Sequence, residues 1–430
     1  MQGEWKDGKG GTGMRKDVFS KVGAGMLAAV IMVSSTGCSM TKQENLMDAV
    51  TPKEVAAETS METGNVAVTD FAVRLFRASL EEEKNTLISP LSVLNALAMT
   101  ANGAREETLS QMETVLGMPI SELNTYLHTY MQQLPEEKTY KLSLANSIWA
   151  LDDENFVIEQ DFLQTNADYY DADIYKTKFD DATLKAINNW VKDNTDGMIP
   201  EILERIPEDA LMYLVNALAF EAEWQDTYEA SQVREGIFTT ASGEEKKVQM
   251  MYSDEYWYLE DENATGLIKY YDDRAYAFVA LMPREGISVA DYVACLTGEH
   301  LNELLLNPVR TGVDAAIPKF ETEYSTEMSE ILAGMGMPDA FDGGKADFTG
   351  LGTIANNNIA ISRVLHKTFI SVGEKGTKAG AATVVEMAEG AAIYAEDPKT
   401  VHLDRPFVYM LVDCENNLPF FVGALVDIEE

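Results

Sequence analysis

A chain of 430 residues, 46% of them hydrophobic, can bury a large core, and its 71 acidic against 33 basic side chains give a formal charge of −38 at pH 7. That balance excludes nucleic acid as a partner, because phosphate binding needs a basic surface. Three cysteines are too few for a disulfide framework, so Cys295 and Cys414 are expected as free thiols.

The chain opens on an address. Arg15, Lys16 and Lys21 precede an apolar run from Val22 to Val33 that is too short to cross a bilayer, and Ser35-Thr36-Gly37-Cys38 follows. The pattern resembles a bacterial lipoprotein signal: residues 1–37 form the leader, started at Met1 or Met14, and Cys38 is the lipidated residue, with plain cleavage or an uncleaved anchor as the alternatives. Gly8-Lys9-Gly10-Gly11-Thr12-Gly13 satisfies a dinucleotide fingerprint by letter, but it lies ahead of the leader with no strand before it and is discarded. Residues 38–64 are polar and acidic and are expected to be a tether. The chain is therefore expected at the extracellular face of the cell envelope, lipid-anchored or secreted, touching the membrane only through its anchor.

From residue 65 to 430 no linker or fixed-period repeat divides the chain, so one domain is expected. Val68, Phe71, Ala72, Leu75 and Ser79 share a helical face, while Phe407-Val412 and Phe420-Val426, joined through Asn416-Asn417, read as a closing hairpin. The class is mixed α and β. Near the C-terminus, Glu374-Lys375-Gly376-Thr377-Lys378-Ala379-Gly380-Ala381-Ala382-Thr383-Val384-Val385-Glu386-Met387 combines two characters. Every second residue from Thr377 (Thr377, Ala379, Ala381, Thr383, Val385, Met387) makes a small, uncharged face suited to burial in a sheet, whereas the glycines and alanines suit an exposed connection. A segment that can be loop or strand is the mark of a switch by strand insertion. Enzymatic motifs are absent: there is no Gly-x-Ser-x-Gly, Cys-x-x-Cys or His-Glu-x-x-His, and the four histidines are scattered. No cofactor or metal is expected, and no catalytic residue.

The stretch from Glu374 to Thr383 resembles the reactive-loop hinge of inhibitory serpins, and Val401-His402-Leu403-Asp404-Arg405-Pro406-Phe407-Val408 resembles the signature that follows that loop. Further matches lie in order at Ile88-Ser89-Pro90-Leu91-Ser92, Ile187-Asn188-Asn189-Trp190-Val191, Leu214-Val215-Asn216 with Trp224, Val248-Gln249-Met250-Met251, Ile317-Pro318-Lys319-Phe320 and Leu365-His366-Lys367. The resemblance implies an α+β domain with helices packed on three β-sheets and an exposed reactive-centre loop near residues 374–400. It implies a suicide inhibitor of serine proteases, not an enzyme: the loop is cleaved and inserts into the central sheet, trapping the acyl-enzyme. Glu374, Gly376, Thr377, Ala379, Ala381, Ala382 and Thr383 fall on the hinge. Ser89, Ser92, Asn216 and His366 fall on the buried shutter under the central sheet, and Trp224 falls where the loop first enters it.

Counting from the hinge puts the reactive bond at Gly390, Ala391 or Ala392; counting back from Pro406 puts it near Ala395. No lysine or arginine lies between Ala379 and Pro398, which disfavours trypsin-like targets and favours elastase- or subtilisin-like ones, with Tyr394 leaving chymotrypsin-like enzymes open. A monomer is expected. Two other classes stay open: a non-inhibitory serpin-like binding or structural protein, and a lipoprotein hydrolase with a triad assembled from scattered residues.

Overall fold

The computed structural model describes residues 43–58, 60–134, 140–207, 210–272, 274–355, 358–377 and 398–428. In chain order the elements are β1 (Glu44–Asn45), a 3-10 turn (Leu46–Ala49), α1 (Glu62–Ser79), β2 (Thr86–Ile88), α2 (Pro90–Ala101), α3 (Glu106–Leu116), α4 (Ile120–Gln133), β3 (Tyr140–Leu151), β4 (Phe156–Ile158), α5 (Gln160–Tyr170), β5 (Asp173–Thr177), α6 (Asp181–Asn194) and β6 (Met212–Glu223). The second half adds β7 (Val233–Thr239), β8 (Glu245–Glu260), β9 (Ala264–Tyr270), β10 (Tyr276–Pro283), α7 (Val289–Cys295), α8 (Gly298–Leu306), β11 (Val309–Pro318), β12 (Phe320–Glu327), α9 (Ser329–Met335), β13 (Gly352–Ile354), β14 (Arg363–Gly373), β15 (Gly376–Thr377), β16 (Lys399–His402), β17 (Phe407–Asp413) and β18 (Leu418–Leu425). The strands form three sheets, so the fold is α+β.

The central sheet runs β1-β5-β3-β6-β15-β14-β12. A second sheet runs β16-β11-β8-β9-β10-β17-β18-β2, with β7 on β8, and β4 pairs with β13 in the small third one. The expected C-terminal hairpin is β17–β18, and Asn417 in its turn takes a φ of 52°, which asparagine tolerates well. Between the two large sheets an aromatic cluster fills the core: Phe220 meets Tyr271, Tyr276 and Phe420 edge-on at 5.2–5.4 Å. The α1 face predicted from spacing, Val68 to Ser79, is buried. Every residue of α2 is buried too: Ala, Leu, Val and Met cover most of its circumference, and Asn95 and Thr100 donate back to the Leu91 and Ala96 carbonyls; Pro90 starts it and Ser89 caps it. Helix α6 covers the opposite face of the central sheet, with Ile187, Trp190 and Val191 in one cluster with Val215 and Leu365.

Residues 43–58 depart from the expected tether. Glu44–Asn45 pair with Tyr175–Lys176 as an edge strand, the Asn45 amide donates to Asp173 at 2.5 Å, and the Lys53 and Glu58 backbone N–H groups bond to Asp168 and Thr129. Leu46, Met47 and Val50, three apolar residues in an acidic context, rest against the core, so residues 43–58 belong to the folded body. Their irregular spacing carries no periodic signal, which is why composition alone suggested a tether. Cys295 and Cys414 are free thiols. Cys38 lies outside the described residues.

Candidate functional site

The two middle strands of the central sheet, β6 and β14, are parallel but paired over only part of their length. At one end Tyr213, Leu214 and Val215 pair with Arg363, Val364 and Leu365. At the other end the two strands no longer touch each other; β15 lies between them, with Gly376 and Thr377 paired antiparallel to Glu223 and Ala222 on one side and to Gly373 and Val372 on the other. The sheet is thus closed at one end and wedged at the other. From residue 378 the chain passes outside the described residues, so hinge positions Ala379, Ala381, Ala382 and Thr383 and the bond candidates Gly390, Ala391 and Ala392 do as well.

The wedge is held by a dense set of bonds. Gly376 has a φ of 154°, and a Cβ there would sit 2.0 Å from the Ala222 carbonyl oxygen, so only glycine lets the backbone approach this closely. Thr377 is 1% exposed and its Oγ1 lies 2.5 Å from the Tyr271 hydroxyl. The turn before it is clasped by backbone and side chain: Trp224 N–H donates to the Lys375 carbonyl (2.8 Å), Tyr228 N–H to that of Glu374 (2.9 Å), and the Trp224 indole N–H to that of Gly373 (2.8 Å). Lys319 reaches Glu374 at 2.7 Å, and that hydrogen bond holds the carboxyl below the usual range.

Behind this clasp lies a buried charge. Lys269 Nζ, 2% exposed, is 2.6 Å from Glu255, and sits 4.6 Å from the Tyr228 ring centroid and 5.5 Å from that of Trp224. Burial alone would lower the Lys269 pKa, yet the Glu255 carboxylate holds it above its ordinary value. The Trp224 indole stacks on Tyr271 at 4.5 Å.

Farther down the sheet, Ser89, Ser92 and His366 come together on the α2 side. Ser89 N–H donates to His366 Nε2 (3.0 Å), and Ser92 N–H donates to Ser89 Oγ (3.3 Å). His366 is 2% exposed, and burial pushes its imidazole down to about 3. Because Nε2 accepts, the neutral ring carries its proton on Nδ1. Asn216 stands on β6 opposite Asn146, next along from the last β6–β14 pair and level with His366. Trp224 stands apart from this group, at the wedge.

Of the residues named from sequence, Glu374, Gly376, Thr377 and Trp224 stand at the wedge, and Ser89, Ser92 and His366 come together. Sequence reasoning missed Tyr271, Tyr228 and the Lys269–Glu255 pair. One signal was available: Lys269 interrupts the apolar run Gly266-Leu267-Ile268, and a lone lysine in a buried strand needs a partner.

Residues 66–428 match the serpin (serine protease inhibitor) family. The leukocyte elastase inhibitor of Equus caballus is 32% identical over 82% of this chain and 96% of its own length. The crystal structure of tengpin, a thermophilic serpin, in its native state is 48% identical and superimposes with a TM-score of 0.86 over 90% of this chain and all of tengpin; the same protein in its latent state gives 0.77 over 87% of this chain. The chain belongs to the serpin family.

Proposed function

We propose that this chain is a suicide inhibitor of serine proteases whose cleaved loop enters the central sheet between β6 and β14. One observation carries the reading: β15 already occupies the mouth of that gap, hydrogen-bonded to both neighbours and running toward the closed end. Continuing its register, each step forward along the loop is one step back along both flanking strands. Ala379 would then meet Phe220 and Ile370, Ala381 would meet Leu218 and Thr368, and Thr383 would meet Asn216 and His366. Small loop residues thus fall opposite bulky ones on the same buried face. From Val384 the loop must separate the pairs Val215–Leu365 to Tyr213–Arg363, and the register reaches Met212 at the end of β6 with Met387. A bond at Gly390 to Ala392 lies just past that end, where an attached protease would meet the far pole of the domain.

The driving force is sized from the new ladder. About ten residues bonded on both sides, at roughly 1 kcal/mol net per hydrogen bond, amount to more than 10 kcal/mol before side-chain burial is counted. That is comparable to the stability of a whole domain, about 5–15 kcal/mol, and so to what holds a captured protease together. The relatives support the reading: leukocyte elastase inhibitor is named for the activity, and tengpin has been solved in both a native and a latent state. The bait Gly390-Ala391-Ala392 suits elastase- or subtilisin-like pockets, and Cys38 would hold the inhibitor on the outer face of the envelope through its lipid.

Incubation with pancreatic elastase, read by SDS gel and mass spectrometry, tests this. The expected outcome is an SDS-stable complex and a released peptide beginning at Ala391, Ala392 or Ile393. Cleavage without any complex would assign the chain to the non-inhibitory serpins.

A further inference from the structure

The clasp around Gly373 to Thr377 has an unusual foundation. Besides Lys319 at Glu374, three aromatic residues hold that turn: Trp224 through two hydrogen bonds, Tyr228 through one, and Tyr271 through the Thr377 hydroxyl. Two of their rings face the same ammonium group, Lys269 Nζ, and the third is stacked on one of those two. Glu255 fixes that ammonium, and is itself fixed by the Ser253 hydroxyl at 2.7 Å.

We infer that the Lys269–Glu255 pair is a positioning clamp that sets how fast the cleaved loop is drawn into the central sheet. The inference rests on the insertion reading above. Stability gives the pair little reason to exist: two charges taken out of water lose solvation about as large as their attraction, and an apolar pair of similar volume serves as well or better. Leu267 and Ile268, its neighbours on β9, are buried and apolar, so a methionine in place of the lysine would suit the surroundings. What an apolar residue would not supply is a fixed point charge toward which aromatic faces turn. Such a charge orients Trp224 and Tyr228, and their N–H groups keep the hinge turn at the mouth of the gap. Insertion competes with release of the acylated protease, so a hinge that wanders from the mouth lets the protease escape.

The test uses the full folded chain carrying Lys269→Met and Glu255→Gln together, which leaves no unpaired buried charge, with Lys269→Arg as the variant that keeps the cation. Two properties are read: the melting temperature of the uncleaved protein, and the rate of the tryptophan emission change that follows loop cleavage by subtilisin, which requires no trapping. The double variant is expected to melt near the parent but insert about tenfold more slowly, the size of one desolvated cation–aromatic contact, and to consume correspondingly more inhibitor per elastase trapped. Lys269→Arg is expected to stay near the parent rate. Insertion of the double variant at the parent rate overturns the inference. So does an equal slowing in Val115→Ala, a core variant remote from the mouth, at matched melting temperature. If the parent inserts but traps no protease, the inhibitor reading alone fails and the rates still decide the clamp; if the parent shows no insertion phase, both fall.

Discussion

His366 makes the central sheet sensitive to acid. Its folded pKa of about 3 lies below the ordinary 6.5, so between those values the unfolded chain binds a proton that the folded chain refuses. The stabilisation is complete above pH 6.5 and is lost progressively as pH falls toward 3. At about 1.4 kcal/mol per unit, the full window is worth on the order of 4–5 kcal/mol and the step from pH 7.5 to 5 about 2 kcal/mol. The cause is burial, which disfavours the charged ring; protonation would also take from Nε2 the lone pair that accepts the Ser89 N–H. Denaturant midpoints at pH 7.5 and 5 should therefore converge less for the parent than for His366→Gln, whose amide oxygen can accept the same bond without titrating; the parent should lose about 2 kcal/mol more. The many carboxylates titrate in both proteins and cancel in the difference. Parallel losses in parent and variant would show that His366 does not carry the acid response.

Thr377→Arg would have to bury a guanidinium beside Tyr271 in a site that admits 1% exposure, costing several kcal/mol, so β15 should be expelled and the protein should turn from inhibitor into substrate; unchanged complex formation on an SDS gel would disprove the register. Cleavage of the loop between Gly390 and Ala395 should raise the melting temperature sharply, since the nicked chain gains a central strand, and a lowered or constant value would rule out insertion. Arginine at the true pre-scissile position among Gly390, Ala391 and Ala392 should redirect trapping toward trypsin, while the parent leaves trypsin's buried acid unpaired; three variants that all fail to trap trypsin would sink the bait assignment. Removing residues through Glu58 should lower the denaturation free energy by about 2–3 kcal/mol, from partial burial of Leu46, Met47 and Val50 and loss of the β1–β5 pairing, and an unchanged unfolding midpoint would contradict their place in the body.

What could be read from the sequence and what could not divide along a physical line. The α1 face and the β17–β18 hairpin follow from periodicity, because burial on one side imposes spacing of 3.6 or 2 on the residues themselves; the small face expected after Thr377 lies outside the described residues. The wedge does not follow from spacing: that Gly376–Thr377 pair with strands 150 or more residues apart in sequence depends on β6 and β14 meeting in space, and only the excess of small residues hinted at it. The clasp was least legible, since Tyr228, Glu255 on β8 and the Lys269–Tyr271 end of β9 converge in space, and the lone lysine in an apolar run was the one local hint of it. The same geometry explains how one sheet can be stable and yet open. Leu365 and Val215 turn outward under α6 while His366 turns inward to Ser89, so the last closed pair of β6 and β14 is pinned on both faces at the position where an advancing loop would first have to part them. Upstream of that pin, among the described residues, only β15 stands between the strands; in the insertion proposed above the loop would zip in until it reached the pin, and beyond it every further residue would have to undo contacts on α6 and at Ser89 together. Resistance to spontaneous insertion and readiness after cleavage are then one property of one layer, and substitutions there should move both in opposite directions.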